Sequence, residues 1–585
     1  MPLLSSLTSL LRLPKLVPSL GLLAFGLASG VQAHAADVQF IILSDVHFGY
    51  IRKFPVPSAS TTKDALTINQ AMAASVNLVS GMSIPNDGGV GAGTTVGPID
   101  LVAVTGDMAN RDESGDGVAA ESANQVQNAT ASWGNFNATY LTGLTLKNPA
   151  NANTPFLLSP GNHDISNSIG QQFIIPANID DDSMRQLLAI AQGTAPITAG
   201  TYTQAFFQQE NASGAFVNKP NYSMDIGGIH FVSISAWPDS GSRKWIDANL
   251  AAVPLTTPVI LFTHCYPDVD PKLLAPPSTT SPYSTIPGAP TAVGAANDYE
   301  AVVSDVIDST EFATSTSTNV EQTAMANWIK SHPNIVAYFH GHTNFNEMYQ
   351  FVGPNHDIKL NCFRIDSPMK GQLSAGASGK ETLLSFQLAT VNTTTWQMTV
   401  REIRWYPTPV FSTDTTTANP DTGPNSTFTA VNVPMENVQL AVAAPTFSVA
   451  AGAYTSTQSV ALACATPATN VYYTTDGTTP TTSSALYSAP LSISATTTVK
   501  ALAVTNSFAS MAASTSAATY TITAASATTS APTTTGASAT AGTTTAADTT
   551  SSSDGHHCGS GSILGMLLGL ALVTGRRFMR RQRDG

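Results

Sequence analysis

Apolar residues along the first two thirds of the chain fall into short, separate blocks. Residues 38–43 are apolar apart from Gln39, and 99–104, 155–158, 258–263 and 335–339 are similar. Continuous runs of this length suit strands buried on both faces. Between them lie segments with helical spacing. One covers 62–80 and stops at Gly81, one is capped by Ser183 and ends at Gly193, and one covers 321–331 before Pro333. Residues 221–226 and 229–235 flank Gly227-Gly228, a hairpin signal, and 383–405 reads as a closing hairpin. Strands alternating with helices predict an α/β core with one large sheet or two.

The pattern then changes. Residues 413–434 are polar and carry Pro420, Pro424 and Pro434, as a linker does. Residues 445–522 are β-like throughout, with short Val, Tyr and Thr runs and Asp476-Gly477 as a turn. Residues 524–553 are almost only Ala, Ser and Thr, a composition that cannot bury a core and reads as a disordered or glycan-bearing stalk. Residues 267–297 form a long stretch rich in Pro, Ser and Thr, the profile of a lid or binding loop.

Composition adds limits. A chain of 585 residues is long enough for two or three domains. A net charge of -13 argues against a nucleic-acid scaffold, which would show a basic face. It leaves a phosphorylated small substrate open, because metals neutralise phosphate locally. The four cysteines (Cys265, Cys362, Cys464 and Cys558) are far apart and form neither a disulfide framework nor a thiolate zinc site. The Gly-rich stretch 88–97 lacks the GxxxxGK[ST] pattern of a phosphate cradle. At the N-terminus, Arg12 and Lys15, a mostly apolar stretch 16–30 and Ala33-His34-Ala35 read as an export signal cut before Ala36. At the other end, apolar residues 563–574 precede Arg576, Arg577, Arg580, Arg581 and Arg583. Twelve residues are short for a membrane span of ~20.

The chemistry sits at the ends of the apolar blocks. In order, they lead into Asp45-Val46-His47, Gly106-Asp107, Gly161-Asn162-His163-Asp164, Thr263-His264 and Gly341-His342-Thr343-Asn344. Carboxylate, imidazole and amide oxygen ligands of this kind suit a pair of divalent ions that clamp a phosphoryl group and activate a water. Asp107 is the best bridging carboxylate, and Asn162 offers a neutral oxygen. Asp45 and His47 are two apart, which puts them on one side if strand geometry continues. His163, beside a presumed ligand, is the natural general acid, with Asp164 to hold its tautomer.

These blocks resemble the calcineurin-like metallophosphoesterase superfamily, with its pattern DxH…GD…GNH[DE]…H…GHxH. The resemblance implies a four-layer α/β sandwich of two β-sheets flanked by helices, with two divalent metal ions (Mn, Fe or Zn) between the sheets. It implies that Asp45, His47 and Asp107 hold the first metal, that Asp107, Asn162, His264 and His342 hold the second, and that His163 is the proton donor. Asn344 stands where the family has a second first-metal His; its amide oxygen can still ligate, and His340 before the glycine is the other candidate. Purple acid phosphatases carry Tyr three residues after the bridging Asp. Here that residue is Asn110, so a tyrosinate-bound ferric ion is not expected.

Residues 445–522 resemble the small chitobiase/β-hexosaminidase C-terminal β-sandwich, through the run 471–480 from Val471 to Pro480, then Tyr487, Pro490 and Thr498-Val499-Lys500-Ala501. A spacer is the favoured role. Binding of a cell-surface polysaccharide through Tyr472 and Tyr473 stays open. The tail is similar to bacterial C-terminal sorting signals.

The expected organisation is therefore a signal peptide (1–35), a metallophosphoesterase domain (36–412), a linker (413–442), an all-β sandwich (443–523), a stalk (524–557) and a sorting or anchor segment at the membrane (558–585). The expected activity is hydrolysis of a phosphate-ester substrate by an exported, surface-attached, binuclear-metal phosphoesterase with His163 as general acid. The alternatives are a phosphodiesterase acting on nucleotides or lipid head groups, and a surface binding protein whose phosphoesterase core has decayed.

Overall fold

The computed structural model describes residues 37–54, 61–110, 129–165, 208–210, 216–218, 221–270, 317–371, 384–405, 435–505 and 510–523. The signal peptide, the helix expected after Ser183, most of the loop 267–297, the stalk and the C-terminal segment lie outside these residues.

The described chain is mixed α/β, with several sheets and few helices. Two six-stranded sheets dominate. The first runs in the order Met435–Gln439, Gln397–Trp405, Leu384–Asn392, Val38–Leu43, Leu101–Val104, Phe156–Leu158. Its last three strands are parallel, and the others join antiparallel. The second runs Glu347–Phe351, Leu360–Arg364, Ile335–His340, Val259–Phe262, Ile229–Ser233, Tyr222–Ile226, with four parallel strands between two antiparallel edges. The runs expected to be buried on both faces are the parallel strands, where crossover helices cover the sheet. The hairpin at Gly227-Gly228 pairs Ile226 with Ile229, and the closing hairpin pairs Leu384 with Trp405.

Alternation sorts each strand between two cores. Phe40, Ile42, Leu101, Ala103 and Leu157 of the first sheet meet Phe231, Ile260, Phe262, Phe339 and Phe363 of the second. The Phe40 ring lies 5.3 Å from Phe231 and 5.8 Å from Phe339, and Phe339 stacks on Phe363 at 4.6 Å. Each such buried ring contributes about 2 kcal/mol. The alternate residues, Ile41, Leu43, Val102, Val104, Val259 and Leu261, join a second core with the apolar stripes of four helices. Those stripes are Ile68, Met72 and Val76 of Ala65–Asn77, Trp133 and Phe136 of Ala129–Phe136, Ile246 and Leu250 of Ser240–Leu250, and Met325 and Ile329 of Ser317–Ser331. Asp64 and Asp239 cap the first and third of these helices by accepting from Thr67 N and Ser242 N. The parallel strands all deliver their C-terminal ends, and the five motif blocks, to one region.

Residues 446–522 form a separate β-sandwich-like body. A five-stranded sheet runs Gly452–Tyr454, Ser514–Ile522, Thr497–Thr505, Thr469–Thr474, Ala485–Leu486, opposed by two short pairs. Val460, Leu462, Val471, Ile493, Val499 and Tyr520 fill its core. The stretch expected to be linker up to 442 is corrected here. Met435–Gln439 is the edge strand of the first large sheet, and Val438, Leu440 and Ala441 are buried in the inter-sheet core. Single apolar residues between Glu436, Asn437 and Gln439 make a half-buried edge strand, a weaker signal than a continuous run. The sandwich is tied on directly. Ala512 N donates to Leu440 O at 2.8 Å, Val442 N donates to Ala512 O at 2.9 Å, and Ala513 N donates to Leu255 O at 2.8 Å.

Candidate metal centre

The loops after five parallel strands are laced to one another before any side chain is considered. Asp45 N donates to Gly106 O at 3.0 Å, and His47 N donates to Asp107 O at 2.9 Å. Gly341 N donates to His264 O at 3.0 Å. Two of the glycines are required by close approach. A Cβ on Gly161 would collide with the Asp107 carboxylate, and one on Gly341 would collide with Ser44 Oγ and the Asp45 carboxylate. The motif glycines let these loops pack tightly enough for their neighbours to meet.

The backbone there is strained. Asp45, His47, Asp107, His342 and Asn344 all have positive φ, between 42° and 73°. Such values are uncommon for residues with a Cβ and cluster at functional sites. They also correct one expectation. Asp45 and His47 converge through left-handed turns, not through strand alternation, and His47 Nε2 lies 3.5 Å from Asp45 Oδ1.

Asp107 is the hub. Its Oδ2 lies 3.5 Å from His47 Nε2, 3.3 Å from His264 Nε2 and 3.9 Å from His163 Nε2. Asn162 Oδ1 lies 2.8 Å from His264 Nε2 and 3.1 Å from His342 Nδ1. Asp45 Oδ2 accepts from His342 N at 3.0 Å. The structure thus brings together Asp45, His47, Asp107, Asn162, His163, His264 and His342. Several potential ligand atoms are left over. Asp45 Oδ1, both ring nitrogens of His47 and Asn344 Oδ1 are buried without a hydrogen-bond partner. Leaving such groups unpaired is costly, and a cation among them removes the cost. The donor set of carboxylate, imidazole and amide oxygen fits divalent first-row metals.

The electrostatics agree with that demand. Burial opposes charge on Asp107, but His264, His163 and His47 outweigh it and hold the carboxyl well below its usual range. Burial likewise opposes a charged His264, yet Asp107 and Asp45 push that imidazole up to about 9. His264 Nδ1 meets Thr105 O at 2.8 Å, which fixes the ring and aims Nε2 at the cluster. His342 is aimed by a residue without a motif, Asp270, whose Oδ2 lies 3.0 Å from His342 Nε2.

Two site expectations need correction. Asp164 does not hold the His163 ring. It accepts backbone hydrogens of Ala109 and Gly161, both at 2.8 Å, and of Met108 at 3.3 Å, so it pins the second and third loops together. Burial and Asp107 raise its pKa to about 7. The His163 ring is held instead by Asn110 O, 2.8 Å from Nδ1, and by Lys370 Nζ, 3.0 Å from Nε2. Lysine can only donate, so Nε2 accepts and Nδ1–H donates to the carbonyl. Burial and the Lys370 charge depress the His163 pKa well below its usual value.

His340 is the second correction. Its Nε2 meets Tyr349 OH at 2.8 Å and its Nδ1 lies 3.1 Å from Gly341 O, among the rings of Tyr266, Tyr338 and Tyr349. As the last residue of its strand, it points into an aromatic pocket and is a satisfied core histidine. Asn344 is turned the other way. Its Nδ2 donates to His342 O at 3.0 Å, which leaves Oδ1 available. Sequence reasoning missed Lys370, Asp270 and Asn110 as site residues. Lys370 and Asp270 lie in loops with no recognisable spacing, and Asn110 acts through its carbonyl.

In the sandwich, Tyr473 packs on the core and Tyr472 on Leu502, Val504 and Ala513, the cluster that also receives Leu255 of the two-sheet body. Residues 449–516 match the family described as chitobiase/beta-hexosaminidase C-terminal domain. No curated protein matches the chain.

Proposed function

We propose that this chain is a binuclear-metal phosphoesterase of the calcineurin-like superfamily, and that the two large sheets with their helices are its four-layer sandwich. The single observation that carries this reading is the convergence on Asp107 of three imidazoles at 3.3–3.9 Å, beside buried Asp45 and His47 atoms that lack hydrogen-bond partners. Asp45, His47, Asp107 and Asn344 would hold one ion; Asp107, Asn162, His264 and His342 would hold the other. Two bound divalent ions would neutralise the phosphoryl oxygens and supply an activated water.

The chain's own residues do the rest. Asn162 and Asp107 orient the imidazoles around one small volume. Thr105 O and Asp270 fix the ring planes of His264 and His342. His163, 13% exposed and so at the accessible edge, serves the departing oxygen as general acid only after Nε2, which accepts from Lys370 Nζ in this fold, has taken up a proton. The export signal and basic tail support a location beyond the cytoplasmic membrane, with the sandwich as spacer.

The test is metal content by elemental analysis together with hydrolysis of p-nitrophenyl phosphate and its bis-ester by the full chain. Two metals per chain and turnover are expected, with both lost in Asp107→Ala and turnover alone lost in His163→Ala. Fewer than one metal after reconstitution with manganese, iron or zinc, and no turnover, would sink the reading and leave a surface binding protein.

A further inference from the structure

Lys370 carries no motif, yet its ammonium sits at the edge of the cluster. Its Nζ lies 3.0 Å from His163 Nε2, which is itself 3.9 Å from Asp107 Oδ2. The approach is built, not incidental. Lys370 N donates to Ser367 Oγ at 2.8 Å, and Ser367 Oγ donates to Asp45 O at 2.7 Å. The backbone of Lys370 is therefore referenced to the same loop that presents Asp45. The ammonium also lies 5.8 Å from the ring of Tyr50, whose N donates to His47 O at 3.0 Å. His163, Tyr50 and Lys370 together form one rim of the site.

We propose, resting on the phosphoesterase reading, that Lys370 is a specificity-determining residue that selects dianionic phosphate monoesters over diesters. An ammonium donates more strongly to an anionic oxygen than to a neutral imidazole. A phosphoryl group seated at Asp107 and His163 brings its non-bridging oxygens within reach of Nζ. A monoester dianion supplies a charged oxygen there. A diester spreads one charge over two non-bridging oxygens where a monoester dianion spreads two charges over three, so it offers the ammonium weaker acceptors. Two divalent ions, when bound, would leave a surplus of positive charge over Asp45 and Asp107, and Lys370 would add to it at the His163 edge.

The experiment uses the full chain and compares wild type with Lys370→Met, which keeps an unbranched side chain without the charge, and Lys370→Arg, which keeps the charge. Turnover is measured on p-nitrophenyl phosphate and on its bis-ester, and binding of inorganic phosphate is measured by calorimetry. For Lys370→Met, kcat/KM is expected to fall about 100-fold on the monoester and less than ~10-fold on the diester. Phosphate affinity should weaken by roughly 10-fold or more, and Lys370→Arg should recover most of the monoester preference. Equal losses on both esters, or an unchanged phosphate affinity in Lys370→Met, would overturn the assignment. A wild-type protein that binds metal but hydrolyses neither ester would defeat the phosphoesterase reading instead, and the phosphate affinities would still report on Lys370 separately.

Discussion

The two-sheet body and the C-terminal sandwich spend their residues differently. In the first, Asp45, His47, Asp107, His342 and Asn344 sit in the left-handed region within one site; among the described residues of the sandwich, Ala468 is the only such non-glycine. The first buries carboxylates and imidazoles by the handful, whereas the described part of the sandwich buries one polar side chain, Ser510. Asp45 and His47 leave buried polar atoms without hydrogen-bond partners, and no such atom occurs among the described residues of the sandwich. Strain and unpaired polarity both cost stability. On the proposed reading the body that carries them is organised around a ligand, and the body that avoids them around its own packing.

The largest expected effect comes from breaking the close approach that assembles the strained side. Gly341→Ala puts a methyl group against Ser44 Oγ and the Asp45 carboxylate. The fifth loop must then move away from the first, and Asp45 leaves its position beside His47 and His342 N. Metal content should fall below one per chain and turnover to the background rate, while far-ultraviolet circular dichroism stays that of the parent. Retention of both metals would mean that the loops have slack, and the argument from close approach would fail.

The same contrast explains what could be read in advance. The parallel strands were legible because burial on both faces demands unbroken apolar runs such as those at 38–43 and 259–262. The Gly227-Gly228 hairpin and the helix over Ala65–Asn77 were legible from turn chemistry and period. The site was legible as residue types at strand ends. Its geometry was not, because left-handed turns at Asp45 and His47 leave no mark in the side-chain pattern. Asp164 was expected to hold His163, and only three-dimensional contact shows that it pins backbone instead. Lys370 and Asp270 arrive from loops distant in sequence, so nothing local singles them out. The edge strand Met435–Gln439 was hidden because an edge needs only alternate apolar residues.

A middle-sized effect concerns protons. His264 has a pKa of about 9 in the metal-free fold against an ordinary 6.5. A raised pKa adds stability that is fully present below 6.5 and is lost as pH rises through about 9. A metal needs the neutral ring, so binding must expel that proton. Metal affinity should therefore climb with pH and level off near 9, while the metal-free protein loses stability over the same window. Calorimetry in two buffers of different ionisation enthalpy, near neutral pH, should show about one proton released per chain as the site that includes His264 fills. His264→Gln should abolish that release. Binding heats independent of buffer would show that His264 is already neutral, and the picture of an imidazolium held between carboxylates would be wrong.

The smallest effect tests the quiet side. Tyr472 is half-buried against Leu502, Val504 and Ala513, where the sandwich meets Leu255. Tyr472→Ala should cost about 1–2 kcal/mol by lost packing, read as a lower melting temperature, with monoester turnover unchanged. Its binding to an insoluble polysaccharide such as chitin should match wild type, because a side chain used at a seam is not offered to a ligand. Weaker polysaccharide binding at an unchanged melting temperature would reverse the comparison: Tyr472 would then be a ligand contact on a body that shows no strain or unpaired polarity, and those two features would no longer separate binding surfaces from scaffolding in this chain.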